Sequence, residues 1–151
     1  MKLAAKSVLL AAAGALALGA CETVDEAVVD TFGNEFRADL NGANESGGGD
    51  PDGSGIARVE TNDTLNTVCA DLEVRDIGIV TAAHIHRGAA GENGPPVVTL
   101  DPPDDNDSDD CDTVSDDLID EIRRNPGGFY VNIHTADYPN GAIRGQLFDV
   151  R

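Results

Sequence analysis

The chain holds three histidines, and two of them, His84 and His86, stand one residue apart in "AAHIHRGAAGENGP" (Ala82–Pro95). The third, His134, comes in "FYVNIHTADYPNG". At strand spacing, residues i and i+2 point to one face with Cα atoms about 6–7 Å apart. Two such imidazoles converge on one ion, with bonds of about 2.0–2.1 Å, when a neighbouring strand brings a third. Neutral imidazoles suit copper or zinc, and three of them leave a coordination position open. Ile85 lies between the pair and Ile133 precedes the third. With both isoleucines in the core, His84, His86 and His134 face outward, joined by Tyr130 and Asn132. A second reading gives the imidazoles only hydrogen bonds to make: His84 and His86 fasten the Gly88–Pro95 turn, and His134 fastens the Ala136–Gly141 hairpin. Both readings stay open on the sequence.

Other residues suggest less. In "DPPDDNDSDDCD" (Asp101–Asp112), Asp105, Asp107 and Asp109 alternate as carboxylates do in calcium loops. The loop lacks the glycine at position six and the glutamate at twelve of an EF-hand, so a solvated surface loop is the competing reading. Arg144 alternates with Ile143 and is expected on the outer face with the histidines, in a salt bridge to an acid there. No G-x-S-x-G elbow and no phosphate loop occur, and no catalytic residue is assigned.

The elements that would position these residues are mostly strands. "FRADLNGANE" places Phe36, Ala38 and Leu40 on one side and breaks at Asn41-Gly42. After the flexible Gly47–Gly55 loop, "GIARVET" is read as a strand with Ile56 and Arg58 on opposite faces. Val68, Ala70, Leu72 and Val74 then recur at period two, the mark of a half-buried strand. "AAHIH", "VVTL", "FYVNIHT" and "AIRGQLF" complete the set. Ser115–Asn125 is different: Leu118, Ile119 and Ile122 fall at helical spacing, Ser115 is a natural N-cap, and Arg123-Arg124 complement the last turn. Short strands, glycine-rich turns and one short crossover helix predict an all-β, antiparallel Greek-key sandwich or barrel.

The N-terminus reads as an address. Lys2 and Lys6 precede an apolar run, Val8–Ala20, too short to span about 30 Å of hydrocarbon but suited to a signal peptide. Leu18-Gly19-Ala20-Cys21 resembles the bacterial lipoprotein processing site, which implies a signal peptide over 1–20, lipid on Cys21, an acidic tether over 21–31 and a single domain over 32–151. Such a protein is anchored to the membrane, not threaded through it. Glu22 is not the aspartate that favours inner-membrane retention, so the outer membrane of the cell envelope is the expected address. Without residues 1–20, 8 arginines face 28 acids, a formal charge of −20 against −18 for the whole chain. That field repels nucleic acid and attracts cations. With Cys21 assigned to lipid, Cys69 and Cys111 remain, and in an oxidising compartment such a pair forms a disulfide.

"LNGANE", "AAHIHRGAAGENGPPVVTL" and "NPGGFYVNIHTADYPNGAIRGQL" resemble, in order, the sequence blocks of the CHRD domain, first named from chordin and widespread in bacterial exported proteins. The resemblance covers Phe32–Val150 and implies a β-rich module acting by binding or structural interaction. A more distant resemblance is to copper–zinc superoxide dismutases: an H-x-H strand, a glycine-rich loop, and a later histidine followed by "RG". On that likeness His84, His86 and His134 match copper ligands and Arg144 the nearby arginine, which implies redox activity toward superoxide. The sequence departs from that pattern by having no fourth histidine and no histidine-and-aspartate set for a zinc loop.

Overall fold

A computed structural model describes residues 34–150. The expected signal peptide, Cys21, the tether and the first residues of the expected domain lie outside the described residues. Strands β1 (Glu35–Asn41), β2 (Ser54–Asn62) and β3 (Thr67–Arg75) form an antiparallel meander. Their alternate residues Phe36, Ala38, Leu40, Ala57, Val59, Val68, Leu72 and Val74 are buried, as the period-two pattern requires. Ile56 and Arg58, two residues apart, share the outer face while Ala57 and Val59 point in. Their expected placement on opposite faces is thereby corrected, since strand side chains repeat every second residue.

The chain continues through β4 (Val80–Arg87), β5 (Pro96–Leu100), β6 (Asp107–Thr113), the helix α1 (Asp116–Arg124), β7 (Phe129–Thr135), β8 (Ile143–Gln146) and β9 (Phe148–Asp149). All join one antiparallel sheet in the order β5-β4-β7-β8-β1-β2-β3-β6, with β9 also on β1. Neither β3 and β4 nor β6 and β7 are neighbours in the sheet; the second connection carries α1, which packs against β2, and it delivers β7 to the side of β4. These are Greek-key crossings. The sheet curls until its outer strands β5 and β6 touch, and Ser108 Oγ donates to the Asp101 carbonyl across that seam at 2.8 Å. The result is a nearly closed barrel.

The helix begins as its sequence dictates. Ser115 Oγ accepts from the Leu118 amide at 3.3 Å, Asp116 and Asp117 fill the first turn, and Arg123 and Arg124 the last. Ile119 and Ile122 are buried in the core, each contributing about 1.5–3 kcal/mol by leaving water.

Strand β6 is a departure. "DSDDCDT" is a strand, not the solvated loop its acids suggested. It has no apolar alternation, and two constraints hold it. One is its ladder with β3; the other is the Cys69–Cys111 disulfide, which joins residues directly opposite in register and separated by 42 positions. Closing a loop of that length contributes about 3–4 kcal/mol in the chain-entropy model.

Candidate metal site on the outer face

Ile85 and Ile133 are fully buried, so their neighbours along each strand must emerge outside. Register then sets the face: Ala82 opposite His134, His84 opposite Asn132, and His86 opposite Tyr130. On the far side of β7, Asn132 faces Arg144 and Tyr130 faces Gln146. A β-bulge against β5 falls between Ile85 and His86, a device that re-aims a side chain.

The three histidines come together. One ring nitrogen from each of His84, His86 and His134 lies within 4.8 Å of the others. Bonds of about 2.0–2.1 Å to one ion cap such separations near 4.2 Å, so sharing an ion requires ring movements of about an ångström. The hydrogen bonds orient two of the rings. His86 Nδ1 is 2.8 Å from the Gly94 carbonyl and His134 Nδ1 is 3.1 Å from the Pro139 carbonyl. A carbonyl only accepts, so in the neutral ring Nδ1 carries the hydrogen and Nε2 the lone pair. Both Nε2 atoms, and His84 Nδ1, are buried without a hydrogen-bond partner. This pattern, one nitrogen donating to a carbonyl and the other left free, is how metal-ligating histidines are held.

Electrostatics keep the lone pairs of His84 and His86 available. Burial lowers the pKa of His84, and the neighbouring imidazoles of His134 and His86 lower it further. Burial also lowers that of His86, against the opposing bond to Gly94, with His134 and Arg144 adding to the depression.

The expectation for Arg144 is corrected. It does leave the outer side of the sheet, but it is only 2% exposed, and among the described residues no carboxylate oxygen lies within ion-pair distance of it. Its guanidinium packs 3.7 Å from the centre of the Tyr130 ring and donates to Asn93 Oδ1 at 3.2 Å and the Glu92 carbonyl at 3.0 Å. The reason is the Gly88–Pro95 loop, which folds back over this face. Tyr130 in turn stacks on His86, ring centres 4.9 Å apart, and its hydroxyl accepts from the Gly94 amide at 3.2 Å. Gly94 is required there, because any side chain would collide with the Arg87 carbonyl.

Gln146, which sequence reasoning passed over, donates to the carbonyls of Gly88, Gly127 and Phe129 at 2.7–2.8 Å. Its alternation with Arg144 was the available signal. Glu45, whose charge suggests an ion pair near the histidines, is instead a covered acid. Its Oε1 is buried without a partner, and burial pushes its carboxyl above the ordinary value, with Arg144 pulling the other way. Asp107 and Asp109 lie on β6 opposite Glu73 and Asp71, with Asp105 in the turn before it. Among the described residues their carboxylates are not gathered as the histidines are.

A small antiparallel Greek-key barrel with a histidine trio on its wall is thus the class of protein defined by fold and site. The family follows from the comparison with known domains: the CHRD domain matches residues 36–147, and the chain belongs to the CHRD-domain family. No curated protein and no solved structure matches the chain.

Proposed function

We propose that this chain is a lipid-anchored CHRD protein of the bacterial cell envelope whose barrel binds a copper or zinc ion through His84, His86 and His134. The observation that carries the reading is the convergence of three buried, unpartnered imidazole nitrogens, two of them on rings oriented by carbonyls. Neutral imidazoles are the donors copper and zinc favour, and the acidic surface raises the local concentration of cations. A bound ion there would supply a Lewis-acid or redox centre; the protein's part is to hold the three rings. The Lys2/Lys6 leader, Leu18-Gly19-Ala20-Cys21 and a disulfide that suits an oxidising compartment support export and an anchor at Cys21.

Metal analysis of untagged protein after exposure to copper or zinc tests the site. One equivalent is expected, lost in His84→Ala and in His134→Ala while the β-sheet circular dichroism is retained. Protein that takes up no stoichiometric metal sinks the reading. Palmitate labelling that disappears in Cys21→Ala, with fractionation to the outer membrane, tests the anchor. Inhibition of superoxide-dependent dye reduction by the copper-loaded protein tests the dismutase-like form of the proposal.

A second reading is favoured by the same carbonyl bonds. His86 and His134 fasten the loops at Gly94 and Pro139, as they would in a purely structural or binding module. Under that reading the metal analysis is negative, and replacing His86 loosens residues 88–95 in hydrogen exchange.

A further inference from the structure

We infer that the fourth position of the three-histidine site takes a small protic oxygen ligand, water or hydroxide, which donates a hydrogen bond to Asn132 Oδ1. This deepens the metal reading and rests on it. Asn132 occupies the middle of the covered face: directly opposite His84 on β4, two residues from His134 on its own strand, and opposite Arg144 on β8. It is 5% exposed, and its Oδ1 is buried with no hydrogen-bond partner. Buried amide oxygens are satisfied in folded proteins, so an acceptor left open beside a ligand cluster is aimed at a donor the protein does not itself provide. Arg144, the nearest cation in register, turns its N–H groups to Asn93 and Glu92 instead.

The chemistry this selects is specific. A ligand carrying O–H can bind an ion through oxygen and donate to the amide. A ligand without a hydrogen sets lone pair against lone pair. Three protein donors with an open, hydrogen-bonded fourth position is also the arrangement of exchangeable sites, whereas purely structural sites close all positions with side chains.

The test uses the untagged protein loaded with Cu(II) and exchanged into D2O, read by electron–nuclear double resonance. The expected result is strongly coupled exchangeable deuterons in the wild type, their loss in Asn132→Leu with copper stoichiometry unchanged, and their retention in Asn132→Asp. Copper bound without coupled deuterons in the wild type overturns this inference and leaves the three-histidine site standing. Deuterons unchanged in Asn132→Leu overturn the role of Asn132. Absence of copper binding removes both readings together. If the leucine variant does not fold, azide (which has no hydrogen) is titrated into the wild type and Asn132→Ser. Tighter azide binding to the serine variant is expected, and equal binding overturns the inference.

Discussion

Two stretches of the barrel wall carry polar side chains on their outward face, and only one of them is covered. On β4, β7 and β8, Arg144 and Asn132 are 2% and 5% exposed, and the 88–95 loop lies over Arg144. On β2, β3 and β6, Arg58, Asp71 and Glu73 are half-exposed and Asp107 and Asp109 stand open to water. Two glutamates contrast pairing with burial. The Arg58 hydrogen bond and charge hold Glu73 below the ordinary carboxylate range, while burial pushes Glu45 above it. The same residue type titrates in opposite directions because Arg58 pairs with one, while for the other burial outweighs the pull of Arg144. The folded-back loop, more than the residues beneath it, makes a chemical site out of one face and leaves the other a solvated wall.

That contrast can be broken first at the histidines. His84→Ala or His134→Ala should abolish stoichiometric copper or zinc binding while leaving the melting temperature of the metal-free protein nearly unchanged; elemental analysis and calorimetry read both. Next comes the open wall. Replacing Cys69 and Cys111 together by serine should cost about 3–4 kcal/mol in chemical denaturation, with metal uptake at the opposite wall unaffected. Loss of metal binding in that variant would show that the two faces are not independent.

The cover itself is probed by Gln146→Ala, which leaves the half-buried Gly88 carbonyl without its donor and also removes the bonds to Gly127 and Phe129; it should cost about 1–2 kcal/mol, with faster amide exchange in residues 88–95 and 127–129. The smallest effect is expected at Glu45. Its raised value penalises the charged form in the folded state, so its contribution falls as pH climbs from the ordinary 4.5 through the raised value, and the penalty is complete above that. Glu45→Gln should therefore melt slightly higher than wild type at neutral pH and lose that advantage below 4.5. Melting curves across pH decide it.

Much of this was legible in the residues, for stated reasons. Phe36, Ala38 and Leu40, and Val68 through Val74, announce strands because one face of each is buried, and Ile85 and Ile133 fix the side on which the histidines emerge. Ser115 marks the helix start because its hydroxyl accepts from a free amide, and the acids after it favour the positive end of the helix. Strand β6 was hidden because Ser108, Asp110 and Asp112, opposite the buried Leu72, Ala70 and Val68, carry no apolar signal; its pairing is decided by β3 and a covalent bond, both distant in sequence. Arg144 was misjudged because alternation gives the direction of a side chain but not what lies over it. That a loop 50 or so residues earlier folds across it is information about tertiary approach.

The acids of β6 have one more effect. The outermost strand of an open sheet offers its amides and carbonyls to any passing chain, and proteins defend that rim with charge. Here carboxylates project from both sides of the rim, at Asp107 and Asp109 on one and at Asp110 and Asp112 on the other. A second copy docking there would meet its own negative charge on either side. Molecules crowded together would be kept from growing into fibrils by the segment that reads least like a strand.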